Sequence, residues 1–182
     1  MKTAMLAAAC LLALLVAAPA QQQDVEKLAP FYPTPESVVK QMLELGGLKK
    51  GETHYDLGSG DGRLVIMAAQ KFGARSVGYE IDEELFQKST GRIKELGLQN
   101  LASIVKDDLM KADFGRPDLI TVYLLPSSND KIRPLLEKAM RPGTRVVSHD
   151  FEFSNWKPDK TINVEDNDEG NGRSHTLYLY RR

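Results

Sequence analysis

The stretch "YDLGSGDGR", Tyr55 to Arg63, places three glycines at alternate positions, with an acidic residue on each side of the first two. A short apolar run precedes it and a helical pattern follows it, so it is predicted to be the turn between a strand and a helix. In open parallel sheets this first turn lies beyond the carboxyl ends of the strands, where ligands bind. Glycine lets the backbone turn sharply and approach a ligand closely. The stretch therefore predicts a ligand-binding loop.

Strand and helix patterns alternate along the rest of the chain. We predict strands at 53–57, 76–79, 102–106, 119–125 and 144–149, and a closing hairpin of 161–164 with 175–180. Helices are predicted from Thr34-Pro35, with Thr34 as cap, to Leu45, over 63–72, from Asp82 to Leu96, and over 128–140, where Pro134 indicates a kink or a late start. This order predicts an α/β, Rossmann-like sheet of seven mostly parallel strands, with a C-terminal antiparallel hairpin and helices on both faces.

The residues around the loop favour a nucleoside ligand that carries positive charge. Glu80 ends the second strand eighteen residues after Gly62, where an acid can accept hydrogen bonds from two ribose hydroxyls. A nicotinamide dinucleotide site would need a glycine where this chain has Arg63. Asp56 and Asp61 also place negative charge where a pyrophosphate would lie. Acids at these positions fit a cation better.

Three segments, "YDLGSGDGR", "GYEID" and "KDDLMKADF", resemble in order and spacing the cofactor motifs of class I, seven-strand methyltransferases that use S-adenosylmethionine (SAM). The resemblance implies that the glycine loop and Asp56 hold the methionine end of SAM, Glu80 the ribose and Asp108 the adenine amino group, with Asp107 as the alternative adenine contact. The implied cofactor-binding residues are Asp56, Gly58, Ser59, Gly60, Asp61, Gly62, Glu80 and Asp108.

Segments outside the cofactor motifs resemble a narrower group of methyltransferases. "FYPTPESVVKQMLEL", "VYLLPSSNDKIRPLLEKAMRPGTRVVSHDFEFSNWKPD" and "HTLYLYRR" are similar to the bacterial relatives of the mitochondrial lysine methyltransferases that act on the c-ring protein of ATP synthase and on the adenine nucleotide translocase. This likeness implies a protein-lysine N-methyltransferase, without naming its target. A methyltransferase of small molecules and a non-catalytic SAM-binding or adenosine-binding domain remain the alternatives.

Three residues are candidates for the acceptor side of the site. Tyr123 lies near the end of the fourth strand, where its hydroxyl could orient an amine, or it belongs to the core. Pro126 either shapes the substrate slot or only ends the strand. His149, with Asp150 beside it, is either an acid/base pair or a structural histidine. A lysine acceptor must lose a proton before it can attack a methyl group, because its free pKa is about 10.4.

Composition restricts the partners. The only cysteine, Cys10, lies in the N-terminal apolar segment, so disulfides and thiolate chemistry are not expected in the rest of the chain. The three histidines are far apart in sequence, and we expect no metal site. Without Lys2 the chain carries 23 basic and 25 acidic residues and no basic block, so we expect no nucleic-acid partner. We expect a monomer that acts on a protein or small-molecule acceptor.

The N-terminus divides the chain into three parts. Residues 1–20 contain an uncharged run and end in "APA", which predicts a signal peptide or a membrane anchor. Residues 21–31 are predicted to be a linker, and residues 32–182 the SAM-dependent methyltransferase domain. We expect an exported protein, periplasmic or secreted, if the signal is cleaved, and otherwise a membrane-tethered one. Export conflicts with the cytoplasmic supply of SAM, and the sequence does not resolve this conflict.

Overall fold

The computed structural model describes residues 27–168 and 172–182, which form a single seven-stranded sheet with four helices. Residues 1–26, including the segment predicted as signal or anchor, lie outside the described part. The strands are β1 Thr53–Leu57, β2 Arg75–Glu80, β3 Ala102–Lys106, β4 Leu119–Val122, β5 Arg145–His149, β6 Lys160–Glu165 and β7 Ser174–Arg181. The helices are α1 Glu36–Leu45, α2 Arg63–Phe72, α3 Glu83–Glu95 and α4 Pro126–Ala139.

The strand order across the sheet is β3-β2-β1-β4-β5-β7-β6. The first five strands of this order are parallel, while β7 runs antiparallel to both β5 and β6. Because β1 pairs with β2 on one side and β4 on the other, the chain winds outward in opposite directions from β1. This reversal opens a crevice at the carboxyl ends of β1 and β4, where open sheets bind ligands.

Apolar side chains cover both faces of the sheet. On one face, Val39 and Met42 of α1 and Ala68 of α2 pack with buried strand residues such as Val147. On the other face, Ile132 and Leu136 of α4 join a second buried cluster. Neighbouring residues of β5, Val146 and Val147, point into opposite clusters, as the alternation of a strand buried on both faces requires.

The predicted architecture is confirmed, and three local details differ. The fourth strand ends at Val122, three residues before the predicted end. Helix α4 begins at Pro126 instead of starting late. Proline is favoured in the first turn of a helix, because an N–H group there would have no partner within the helix. Pro134 lies inside the helix. Pro35, and not Thr34, occupies the cap position of α1, and the Asp168 carboxylate accepts from the Ser37 N–H of the first turn at 2.9 Å. Among the described residues no helix is both long and apolar enough to cross a membrane.

Candidate active site

The loop after β1 depends on its glycines. Gly58, Gly60 and Gly62 all have left-handed backbone conformations, with φ of 79°, 54° and 78°. Other residues rarely adopt this conformation. A Cβ atom on Gly60 would also lie 2.6 Å from a ring atom of Phe31. The alternate glycines are therefore required by the path of the loop and by the ring that packs on it.

A cavity of about 950 Å³, including its open mouth, lies over this loop. Its walls come from the segment 27–34, the loop, the end of β2, the residues after β3, and Tyr123 with Leu124 after β4. Of the predicted cofactor-binding residues, it is lined by Asp56, Gly58, Ser59, Gly60, Asp61, Glu80 and Asp108. Gly62 does not line it. That glycine precedes α2 as its cap residue, and a Cβ there would lie 3.0 Å from Ser89 Cβ.

Glu80 is held by backbone amides at the end of β2. One carboxylate oxygen accepts from the Gly60 N–H at 2.7 Å, and the other accepts from the N–H groups of Ile81 and Asp82 at 2.9 and 2.8 Å. A carboxylate offers about four lone-pair sites. Three of them fix the side chain between the loop and β2, so the remaining capacity faces a ligand with its geometry already set.

Asp56, near the end of β1, is buried beneath the loop. It accepts a hydrogen bond from the Thr121 hydroxyl at 2.7 Å, and the Thr121 oxygen lies 2.8 Å from Nε2 of the buried His54. Burial lowers the pKa of His54 to about 3, so this ring is neutral at pH 7. Burial also raises the pKa of Asp56 to about 7. A cationic ligand in the cavity would favour the ionised form of Asp56.

Ser59 provides a test of whether the cavity fits SAM. Its hydroxyl oxygen is buried and has no hydrogen-bond partner among the described residues, and the residue itself lines the cavity. A buried polar atom without a partner is costly unless a ligand or water completes it. The ligand implied by the motifs carries hydroxyl, carboxylate and amino groups that can do so. Together with the acids Asp56 and Glu80, this free hydroxyl fits SAM.

The remaining predicted acids occupy two sides of the cavity. Asp61 forms a 2.7 Å ion pair with Arg63, which also donates to the Thr34 carbonyl. Burial opposes ionisation of Asp61, but the bonds from Arg63 outweigh it and hold the pKa of Asp61 below its usual value. Asp107 and Asp108 both line the cavity. The geometry therefore leaves both open as the adenine contact.

Of the three acceptor-side candidates, only Tyr123 lines the cavity. Burial, with Asp150 nearby, raises the pKa of Tyr123 to about 12, so its hydroxyl keeps its proton at neutral pH. Pro126 is exposed at the start of α4 and does not line the cavity. His149 is fully buried behind Tyr123, with the two ring centroids 3.9 Å apart, and it does not line the cavity either.

Sequence reasoning missed a cluster behind Tyr123. His149 Nε2 lies 2.9 Å from His175 Nδ1, and Asp150 Oδ2 lies 3.0 Å from the same His175 atom. The pairing of β5 with β7 brings these groups together across 25 residues of sequence. His149 and His175 are 26 residues apart in sequence but adjacent in the fold, so distance in sequence was a poor guide to their distance in space. The Thr34 hydroxyl, predicted as a helix cap, instead lies 3.3 Å from His149 Nδ1.

The end of the segment predicted as a linker packs on the domain. Lys27 forms a 2.7 Å ion pair with Asp82, and the Ser128 hydroxyl donates to the Leu28 carbonyl. Phe31 lies over the glycine loop. Residues 27–31 therefore form one wall of the cavity, a role that their polar, proline-containing sequence did not indicate.

The chain matches the family described as "ANTKMT methyltransferase domain" over residues 56–160. It is 43% identical to a protein-lysine N-methyltransferase of Saccharolobus islandicus, over 83% of this chain and 92% of that protein. It is 32% identical to the mouse lysine N-methyltransferase of the ATP synthase c-ring protein, over 72% of this chain and 53% of that enzyme. It also resembles the crystal structure of an RNA methyltransferase from Salinibacter ruber in complex with S-adenosylhomocysteine (SAH), with a TM-score of 0.75 and 45% identity, over 82% of this chain and 93% of that one.

Proposed function

Because the chain belongs to the ANTKMT methyltransferase family and is a SAM-dependent methyltransferase, we propose that its methyl acceptor is the side-chain amine of a protein lysine. The Saccharolobus islandicus relative, which is matched over nearly its whole length, is a protein-lysine N-methyltransferase and supports this acceptor class. The identity of the target protein is a separate question, because the mitochondrial relatives are matched over only part of their length.

The observation that carries the proposal is the position of Tyr123. This residue lines the cofactor cavity, and its hydroxyl lies 3.5 Å from Asp150 Oδ2, to which it can donate. The phenol oxygen is then free to accept an N–H bond from an incoming amine. A neutral amine held in this way keeps its lone pair for the methyl carbon. Tyr123 thus provides an acceptor-orienting group directly beside the cofactor site.

The other residues of the cavity would bind different parts of SAM. The glycine loop, Ser59 and Asp56 would hold the methionine end of SAM, Glu80 the ribose, and Asp107 or Asp108 the adenine. SAM supplies a methyl group already activated on a sulfonium, so the protein provides position and exclusion of water more than covalent chemistry. Partial burial of the acceptor lysine beside a cation would lower its pKa and raise the fraction of neutral amine.

The Salinibacter ruber neighbour provides a specific reason to test RNA as a second acceptor, since it is described as an RNA methyltransferase. We propose protein over RNA on the ground of charge. The cavity wall contains six acidic residues, Asp56, Asp61, Glu80, Asp82, Asp107 and Asp108, and two basic ones, Lys27 and Arg63, which are paired with Asp82 and Asp61. Basic residues that neutralise phosphates supply most of the affinity for nucleic acid. The excess of acidic residues, with both cations already paired, favours a cationic lysine peptide over a phosphate backbone.

A labelled-methyl transfer assay tests the acceptor. The purified chain and SAM labelled on the methyl group are incubated with soluble and membrane extracts of the host, and the products are divided into protease-sensitive, RNase-sensitive and small-molecule fractions. We expect the label in protein, on lysine side chains after peptide mapping. Label confined to RNA or to small molecules would overturn the proposal. Binding of SAM without any transfer would favour the non-catalytic alternative.

The substitution Tyr123→Phe tests the acceptor-orienting hydroxyl. It keeps the ring that packs on His149 and removes only the oxygen. We expect turnover to fall by about 10- to 100-fold, as loss of a positioned polar group does, while SAM affinity changes little. The matched control is Tyr178→Phe on β7, a tyrosine that does not line the cavity. Equal turnover in Tyr123→Phe and the parent would remove the hydroxyl from the reaction.

For location, we propose that residues 1–20 export the chain and are cleaved after Ala20. The support is the uncharged run followed by small residues. Mass spectrometry of the protein from its host should find a mature chain that begins at Gln21. An intact N-terminus in the membrane fraction would instead support a tether.

A further inference from the structure

We propose that His149, Asp150 and His175 form a binding site for a divalent first-row transition metal, beside the cofactor cavity but distinct from it. The proposal rests on the geometry of these three side chains and does not depend on the identity of the methyl acceptor. His149 ends β5, Asp150 follows it directly, and His175 lies in β7. Each residue offers one ligand atom, and the three atoms lie close together.

The distances between the three atoms match a coordination shell. His149 Nε2 and His175 Nδ1 are 2.9 Å apart, His175 Nδ1 and Asp150 Oδ2 are 3.0 Å apart, and His149 Nε2 and Asp150 Oδ2 are 3.4 Å apart. Zinc bonds of about 2.0–2.2 Å place neighbouring ligand atoms about 3.0 to 3.4 Å apart at octahedral or tetrahedral angles. The three atoms are therefore spaced as one face of a coordination polyhedron requires.

A single proton holds this cluster together in the absence of a cation. A proton on each facing nitrogen would set two N–H groups against each other across 2.9 Å, so only one of them carries a proton. On His175 Nδ1 this proton lies between His149 Nε2 at 2.9 Å and Asp150 Oδ2 at 3.0 Å. A divalent cation in place of the proton would bind the lone pairs of all three atoms at once.

The surroundings of the cluster are buried on the histidine side and open on the carboxylate side. His149 is fully buried and the His175 side chain is 3% exposed, whereas Asp150 is 26% exposed and lies toward solvent. The Thr34 hydroxyl, 3.3 Å from His149 Nδ1, would orient that ring as partners of metal-bound histidines do. His175 also lines a second surface cavity, through which an ion could reach the cluster.

The donor set selects the class of ion. Two imidazole nitrogens and one carboxylate suit Zn²⁺, Fe²⁺, Co²⁺ or Ni²⁺, with positions left open for water or another ligand. Mg²⁺ and Ca²⁺ prefer oxygen ligands throughout. Zn²⁺ is therefore the appropriate probe, Co²⁺ the spectroscopic one, and Mg²⁺ the negative control.

The test measures metal binding by the purified chain after treatment with a chelator, without a histidine tag and in a Cys10→Ser background that leaves no thiol. Calorimetry should give one Zn²⁺ per chain and no heat with Mg²⁺. Co²⁺ should develop the visible absorption of a nitrogen-coordinated ion. Absence of Zn²⁺ binding in the parent chain would overturn the proposal.

Two ligand variants locate the ion. Asp150→Asn should not strain the backbone. The φ angle at this position is 58°, and asparagine tolerates left-handed conformations. His175→Gln removes the second imidazole. Each should weaken Zn²⁺ by at least the roughly 10- to 100-fold that loss of a second-shell partner costs. Calorimetry with SAH, whose binding needs the folded domain, shows that each variant is folded.

A control variant excludes another ligand. Asp168→Asn removes the charge of an exposed carboxylate from the neighbouring cavity, while the amide oxygen can still accept from the Ser37 N–H. It should bind Zn²⁺ as the parent does. Unchanged affinity in both ligand variants, or loss of binding in Asp168→Asn with retention in Asp150→Asn, would place the ion elsewhere and overturn the assignment.

Discussion

The cofactor cavity and the His149–Asp150–His175 cluster both contain carboxylates, but they hold them in different ways. Glu80 accepts from the amides of Gly60, Ile81 and Asp82, all within one strand–helix–strand unit. Asp150 accepts from the Thr176 amide and lies beside two imidazoles that only the pairing of β5 with β7 brings close. One site is built from neighbours in sequence, and the other from the far ends of two strands.

The two sites share a physical feature in spite of this difference. In the cavity, Asp56 is buried at a cost to its ionised form. In the cluster, three acceptor atoms converge with one proton between them. A positive charge relieves both situations, the SAM cation in the first and a metal ion in the second. We therefore expect a bound cation to stabilise either site. The following predictions examine the cofactor cavity and then a residue that contacts the cluster.

The largest effect is expected for the stability of the cofactor-free protein carrying Asp56→Asn. The pKa of Asp56 rises from 3.8 unfolded to about 7 folded, so stability is lost as the pH rises through this interval. The amide can still accept from Thr121 but carries no charge. We expect the variant to be more stable than the parent by roughly 2–4 kcal/mol at pH 8, with a smaller difference at pH 5, by chemical denaturation. A variant less stable than the parent at pH 8 would show that the buried charge is not costly.

The next effect is expected for Glu80→Ala, which should weaken SAM and SAH binding by about 1.5–3 kcal/mol, or roughly 10- to 150-fold. The loss combines the ligand contact with the amide bonds that fix the loop to β2. Glu83→Ala is the matched control, because Glu83 is an exposed glutamate that pairs with Lys106 outside the cavity. Calorimetry of the two variants compares them directly. Similar affinities in both would remove Glu80 from the site.

The contrast between the two sites also explains what the sequence could predict. The glycine loop, Glu80 and the Asp82 cap follow from short spacings and local backbone rules, and the structure places them as expected. The closing hairpin was predicted too. Its order in the sheet was not, because periodicity does not tell whether β6 or β7 pairs with β5. Since that choice brings His175 to Asp150, the cluster could not be found from spacing.

A third effect concerns the pH dependence of SAM binding. Only ionised Asp56 attracts the cationic cofactor, and its pKa in the free protein is about 7. Bound SAM lowers this pKa, so affinity should be constant above pH 7 and fall by up to about tenfold for each unit below it. Calorimetry between pH 5.5 and 8.5 measures the slope. Asp56→Asn should abolish the dependence, and an unchanged slope in that variant would assign it to another group.

The smallest effect is expected for Thr34→Val, which removes the hydroxyl near His149 and keeps the shape of the side chain. The sequence predicted that this hydroxyl caps α1, whereas the structure places it 3.3 Å from His149 Nδ1, and the Asp168 carboxylate accepts from the first turn of the helix instead. Both roles predict a loss of about 0.5–1.5 kcal/mol in the free energy of unfolding, so a single variant does not separate them. A double-mutant cycle does. In a His149→Leu background the loss from Thr34→Val should disappear if the hydroxyl acts through the imidazole, because its partner is already gone. If the loss persists there, the hydroxyl stabilises α1 and does not act through the histidine cluster.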